Sequence, residues 1–475
     1  MKTEKLQLIT DFYEFTMSNG YFLKNMNDIA YFDVYFRNVP DKGGYAIVAG
    51  LEQVIEFMEN LHFDEEDIQY LRAQGIFSEG FLEYLRNFKF SGDIWAIPEG
   101  TVVFPNEPLL TVRAPIIEAQ LLETMLLLII NHQSLIATKT NRIVKEADGR
   151  PVMEFGARRA HGISAAVYGA RAAIIGGAIG TSCTLTAKEF GVPASGTMAH
   201  SWIQSFDTEY EAFKTYAETY PNGCTLLVDT YNTLESGVPN AIRVFDEVLK
   251  PKGIRPVAVR LDSGDLAYLS KKVREMLDNA GYEDCKICVT NSLDEYLISS
   301  LIKQGAKVDI FGVGENLITA KSDAVFGGVY KIVAMEKNGE IIPKIKISEN
   351  VEKITNPSFK RVYRFYSKTT NNALADVITL SDEVIDENEY EIFDPQSPWK
   401  KKTLKNYYVK PLAEKIYDNG KLVYTSPSVL EIAKYKKEQV NTIWEEIRRL
   451  DNPQKYYVDL SKKLWDLKHN LLENK

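Results

Sequence analysis

A chain of 475 residues is too long for one hydrophobic core and implies two or three domains. At 45% hydrophobic and 25% charged residues its composition is ordinary for a globular protein and excludes extensive disorder. A net charge of −9 favours solubility and argues weakly against binding nucleic acid through its phosphates. The opening MKTEKLQLITDFYEF lacks an apolar core followed by small residues, so no signal peptide is read and a cytoplasmic location is expected.

From about 5 to 145 the pattern is mixed. IAYFDVYFRNVP alternates like a strand, YAIVAGLEQVIEFMENL reads as a helix, and GDIWAIPEGTVVFPNEPLLTVRAP reads as short strands broken by Pro and Gly. Residues 118–145 then form a long helical stretch. Its most apolar run, 121–130, is short of the roughly 20 residues a membrane span needs, so it reads as a buried helix and no membrane partner is expected.

From about 150 short apolar runs alternate with helical segments: PVMEF, the Ala-rich 164–175, TLLVD, PVAVRLD, KICVTN and KVDIFGVG. That rhythm predicts parallel β-α units in a barrel or doubly wound sheet. Polar residues close these strands: Arg158 and Arg159, Asp229, Arg260 with Asp262, Asn291, and Gly312 with Gly314. Active sites of parallel α/β folds lie at such carboxyl ends, and five in series point to one.

Beyond about 327 the character is β-rich. EKNGE and YDNGK set Asn-Gly between apolar runs, a hairpin signal, and 428–450 and 455–472 read as charged terminal helices. Three blocks result: an α/β domain over 1–148, with some segments free to pack with the C-terminal part, a barrel-like catalytic domain over 149–335, and a β-rich and helical extension over 336–475. Cys285 and Cys288 form a C-x-x-C, but strand residues three apart point to opposite faces and no second pair completes a zinc site. Reduced thiols are expected at all four cysteines.

His200 in GTMAHSW is one of five histidines. A lone histidine is usually structural, but Asp229 ends a neighbouring strand and could fix its tautomer, for proton abstraction or for accepting a phosphoryl group. FGARRAHG follows an aromatic with two guanidinium groups, suiting an anionic aromatic ligand at Phe155 and Arg158 or simply a helix start. VRLDSGD places Arg260, Asp262 and Asp265 at a strand exit, where carboxylates could hold ribose hydroxyls, bind magnesium or stabilise a cationic sugar carbon; an ordinary turn competes. In FGVGENL, Gly312 and Gly314 permit close backbone approach to a phosphate, without a dinucleotide or P-loop fingerprint. Tyr13 in TDFYEFTM packs in the core by default or reaches a partner subunit.

Taken together, TDFYEFTM, ATKTNR, EFGARRAHG, GTMAHSW, LLVDTYNT, VRLDSGD, and FGVGENL followed by GGVYK resemble the nicotinate phosphoribosyltransferase family in order and spacing. The resemblance implies an irregular parallel α/β barrel of the type II phosphoribosyltransferase kind, with an N-terminal α/β domain and a C-terminal extension. It also implies a homodimer with shared active sites, and an ATP-driven, ligase-type synthesis of nicotinate mononucleotide from nicotinate and 5-phosphoribosyl 1-pyrophosphate in NAD biosynthesis. Carried over by motif, His200 is the phosphohistidine and Asp229 its carboxylate partner. Tyr13 and Phe155 sandwich the pyridine ring, Arg158 lies near the carboxylate, and Thr197 and Arg260 are further contacts. Asp262 faces the ribose and Mg²⁺, and Gly312, Gly314 and Thr319 hold the phosphate, with Glu315 pointing away. Ser182 stands where nicotinamide-using relatives carry an aspartate, so nicotinate is favoured, a neutral side chain not repelling a carboxylate. The rival readings are a nicotinamide or quinolinate transferase, a Schiff-base barrel lyase, for which no strand ends in lysine, and a silent pyridine-binding regulator.

Overall fold

The computed structural model describes residues 6–474. The fold divides into two compact units, one made of Met1–Leu135 with Val325–Lys475 and the other of Ile136–Ala324. Strand pairing explains why the first unit is discontinuous. Its seven-stranded antiparallel sheet runs Glu340–Pro343, Val329–Lys337, Ile29–Tyr35, Leu110–Pro115, Asp93–Ala96, Glu414–Asp418 and Lys421–Leu422, so both ends of the chain share one sheet. Segments of the 1–148 block thus pair with segments of the C-terminal part, a packing the three-block reading leaves open.

Local chemistry accounts for many element boundaries in this unit. Both Asn-Gly pairs form hairpins with positive φ at each residue (Asn338 53°, Gly339 81°; Asn419 48°, Gly420 74°), as a type I′ turn requires. The first predicted helix begins only at Leu51, because Gly50 at its N-cap has φ 109°. Strand Ile29–Tyr35 is buried on both faces, including Asp33, whose carboxylate lies 2.9 Å from Lys360 Nζ and accepts the Thr111 hydroxyl at 2.7 Å. The terminal helices are shorter than their charge pattern suggests. Val429–Thr442 starts at a Ser428/Glu431 capping box and stops where Ile443 turns extended, burying Ile443 and Ile447. Lys462–Glu473 starts at its Ser461 cap, and Val458–Leu460 before it is a strand parallel to Ala373–Leu380.

The helical run 116–146 is long and apolar enough, by length and composition, to cross a membrane, a longer stretch than the ten residues singled out above. Of its most apolar window, 61% is buried within the protein, as in a core helix.

The second unit carries the parallel sheet. Its strands lie in the order Val152–Glu154, Ile310–Val313, Lys286–Val289, Ala258–Leu261 and Thr225–Leu227, every pair parallel. Parallel bridges extend the ladder from Glu154 to Thr181 and on to Ala194. Read from 225 through 310 to 152, 181 and 194, this spatial order is a cyclic permutation of chain order, the arrangement of an irregular α/β barrel. The strands are short apolar runs buried on both faces, as sheets covered by crossover helices require. Cys285 and Cys288 sit at strand Lys286–Val289 as buried free thiols, and burial pushes both up to about 12, which suits packing rather than redox chemistry.

Candidate active site

The carboxyl ends of the parallel strands bring most of the predicted residues of the second unit together. His200 is the first residue of the short helix Ser-Trp-containing segment His200–Gln204. Its Nδ1 lies 3.0 Å from Thr230 Oγ1, and its Nε2 lies 3.6 Å from Asp262 Oδ2, within charge attraction of a protonated ring but beyond a hydrogen bond. The imidazole is partly exposed, with 37% of its side-chain surface accessible. A reactive ring needs both access and orientation, and the motif's neighbour Thr230 supplies a contact that reading the sequence missed.

Asp229 is buried and uses Oδ2 to accept the Asp262 backbone N–H at 2.8 Å and the Ser263 hydroxyl at 2.7 Å. Its Oδ1 is buried without a hydrogen-bond partner. The carboxylate at one strand end therefore holds the Asp-Ser-Gly-Asp turn at the next, with Gly264 supplying φ 78°. Asp262 Oδ1 accepts the hydroxyl of Thr290, a residue the sequence reading passed over in KICVTN. Asp265 caps helix Leu266–Asn279 by accepting the Tyr268 N–H at 3.0 Å, which is a structural task.

Arg260 donates from Nη1 to Thr197 Oγ1 and to the Met198 carbonyl, the latter at 3.0 Å. Its Nε is buried without a hydrogen-bond partner. Arg158 and Arg159 are exposed on the turn Ala157–Arg159. Ser182 is exposed, and its N–H binds the Glu154 carbonyl at 2.9 Å.

The glycines divide in their surroundings. Gly312 lies inside strand Ile310–Val313; a Cβ there would meet Thr290 Cγ2 at 2.6 Å and Phe155 Cδ2 at 2.7 Å. Its lack of a side chain therefore seats the Phe155 ring. Gly314 caps the four-residue helix Glu315–Ile318, with Phe155 O 3.1 Å from where its Cβ would be. Thr319 donates its hydroxyl to Glu315 O at 2.7 Å. Glu315 turns to Lys321 Nζ at 2.8 Å, with Arg159 Nε at 3.9 Å, and the hydrogen bond from Lys321 lowers its pKa. Nearby, Asn291 and Ser292 both have positive φ (86° and 50°), and Asn316 Nδ2 holds the Ser292 carbonyl at 2.9 Å. The ATKTNR motif supplies Lys139 and Arg142, which reach buried Glu295 at 2.8 and 3.0 Å and brace the helix after that turn.

Tyr13 belongs to the other unit, on helix Phe12–Leu23, with 44% of its surface exposed. Burial and then the charge of Glu123 raise its phenol pKa, and Glu123 also accepts its hydroxyl hydrogen.

Comparison with known proteins gives one answer. Models of the nicotinate phosphoribosyltransferase N-terminal domain, family and C-terminal domain match residues 8–131, 151–380 and 359–468. A Bacillus subtilis nicotinate phosphoribosyltransferase is 45% identical over 469 residues, 98% of this chain and 95% of that protein. The crystal structure of human nicotinic acid phosphoribosyltransferase superposes with a TM-score of 0.87 at 28% identity, covering 97% of this chain and 99% of that one. A nicotinate-nucleotide pyrophosphorylase structure from Pyrococcus furiosus gives 0.71 at 26% identity, covering 93% and 97%. In class, the fold is that of a phosphoribosyltransferase. The chain belongs to the nicotinate phosphoribosyltransferase family.

Proposed function

We propose that this enzyme joins nicotinate to 5-phosphoribosyl 1-pyrophosphate, forming nicotinate mononucleotide and pyrophosphate, and couples the reaction to ATP hydrolysis through a phosphorylated His200. The observation that carries this reading is the grouping of His200, Asp262, Asp229 and Arg260 at adjacent strand ends, in a chain so similar over its whole length to nicotinate phosphoribosyltransferases.

In this reading the pyridine nitrogen attacks C1 of the ribose while the C1–oxygen bond to pyrophosphate breaks, its electron pair leaving with pyrophosphate. The carbon becomes oxocarbenium-like, and the partly exposed Asp262 carboxylate is held by Thr290 where it can stabilise that charge. Phe155 stacks on the pyridine from one side and Tyr13 of the partner subunit from the other, a positioning effect; the exposed ring of Tyr13 supports a shared dimer site. Arg158 meets the nicotinate carboxylate, and Arg260 with Thr197 meets the sugar phosphate substrate. Ser182 leaves the carboxylate unrepelled.

Mg²⁺ fits the donor set: Asp262 and the unpartnered Oδ1 of Asp229 are hard oxygen ligands, and Mg²⁺ binding through one or two carboxylates plus substrate phosphates is common. Bound there, the metal would neutralise charge on the pyrophosphate leaving group. The separate energetic step is attack of a His200 ring nitrogen on the γ-phosphorus of ATP, with ADP leaving; water later cleaves the N–P bond. The exposed turn at Asn291, Gly314 and the chain around Thr319 form the phosphate end of the site.

The test is nucleotide formation by the purified protein with 5-phosphoribosyl 1-pyrophosphate and Mg²⁺, with nicotinate or nicotinamide, each with and without ATP. Nicotinate mononucleotide made faster with ATP, with matching ADP release, is expected. Preference for nicotinamide would overturn the substrate assignment, and no reaction would leave a silent pyridine-binding protein as the better reading.

A further inference from the structure

We propose that Glu154 is a positioning residue that fixes two walls of the pyridine subsite together, the Phe155–Arg158 turn and the Thr181–Ser182 turn. The proposal rests on the reading that Phe155 and Ser182 face nicotinate.

Glu154 ends strand Val152–Glu154 and is fully buried. Each of its carboxylate oxygens serves a different loop. Oε1 accepts the backbone N–H of Gly156, inside the turn that carries Phe155 and Arg158. Oε2 accepts the hydroxyl of buried Thr181 at 2.6 Å, the residue before Ser182. Thr181 Oγ1 in turn accepts the Cys183 N–H at 2.9 Å, so the residues on both sides of Ser182 are tied to one carboxylate. The backbone repeats the link: the Glu154 carbonyl accepts the Ser182 N–H and the Glu154 N–H binds the Gly180 carbonyl, both at 2.9 Å. Gly156 is required for this closeness, since a Cβ there would meet Glu154 Oε1 at 2.8 Å and Ile318 Cβ at 2.5 Å.

The chemistry demands a carboxylate. Two donors converge on two acceptor oxygens, the Gly156 N–H on Oε1 and the Thr181 O–H on Oε2, while the Thr181 oxygen also accepts from Cys183. In Glu154→Gln one oxygen becomes an NH₂ that faces a donor, and one turn is released. A buried charge would be costly were these donors absent; burial raises the carboxyl pKa and the Thr181 and Gly156 hydrogen bonds oppose that rise. Neither donor is itself assigned to the sugar or the phosphate, although Gly156 packs on Ile318 beside the phosphate end, so loss of the clamp should fall chiefly on the pyridine.

Steady-state kinetics of the full chain test this. Glu154→Gln and Thr181→Val are expected to raise KM for nicotinate about tenfold or more, with KM for 5-phosphoribosyl 1-pyrophosphate changed less than about twofold. Thr181→Ser, which keeps the hydroxyl, is expected to restore the wild-type KM. The double variant Glu154→Gln/Thr181→Val is expected to be no worse than the worse single one, because both cut the same link. Equal KM increases for both substrates, additive losses, or Thr181→Val matching Thr181→Ser would overturn the proposal. Should Glu154→Gln fail to fold, the Thr181 pair decides it alone. An inactive wild-type protein would instead sink the functional reading, a result told apart from this one because the wild type is assayed first.

Discussion

The carboxylate of Asp229 receives the backbone N–H of Asp262 at 2.8 Å. One strand-end acid thereby shapes the turn that presents the next, and Asp262 rather than Asp229 supplies the carboxylate oxygen recorded near His200. Expected for Asp229→Ala is a fall in kcat of about 100-fold, since two donors lose their acceptor in the site. Asp229→Asn keeps an amide oxygen for the Asp262 N–H and should stay within about tenfold of wild type. Equal losses in the two variants would mean that the charge of Asp229, toward His200 or toward Mg²⁺, outweighs its task of holding the turn.

His200→Ala should abolish ADP release while leaving slow formation of nicotinate mononucleotide, because the role proposed for the ring is to accept phosphate and not to take part in bond making at the ribose. Parallel assays of ADP and mononucleotide check this. Loss of transfer with ATP hydrolysis intact would contradict the phosphohistidine role.

Ser182→Asp should raise KM for nicotinate about tenfold or more, by setting a carboxylate near the place proposed for the substrate's own. The Ser182 side chain is exposed while its backbone is pinned to Glu154, so the change adds charge without unseating the turn. An unchanged specificity constant, measured against nicotinamide as competitor, would remove Ser182 from substrate choice.

Stability should carry a pH signature from Glu14. This carboxyl is fully buried, accepts the Thr124 hydroxyl at Oε1 and leaves Oε2 without a partner. Burial chiefly pushes its pKa from 4.5 up to about 7. Between those values the folded state holds a proton that the unfolded state releases, so the Glu14 contribution is present at low pH and is lost as pH rises to about 7. Relative to Glu14→Gln, the wild type should lose roughly 3 kcal/mol across that window, at about 1.4 kcal/mol per pKa unit. Urea unfolding at pH 5 and pH 8 gives the difference, and a pH-independent gap between the two proteins would refute it.

Much was legible from sequence because it depends on neighbours in the chain. Asn338-Gly339 and Asn419-Gly420 make their hairpins through their own φ preferences, and the strand-helix rhythm from 150 onward announces a parallel sheet whose carboxyl ends carry His200, Asp229, Arg260 and Asp262. Tertiary structure decided what those ends touch. Gly312 appears in sequence as a phosphate glycine, but the space its missing side chain leaves is filled by the Phe155 ring, which arrives from a strand more than 150 residues earlier. Glu154 and Thr230 lie inside quoted motifs and Thr290 lies outside them, yet none announced its task, and their contacts exist because parallel pairing sets neighbouring strand ends within hydrogen-bond reach. Packing of N-terminal segments with the C-terminal part was open in the sequence, but which strands pair in the antiparallel sheet was not legible, since no local pattern says which edge a strand will join. Residue type and spacing decided which chemistry this protein carries; long-range strand pairing decided which oxygen faces which proton.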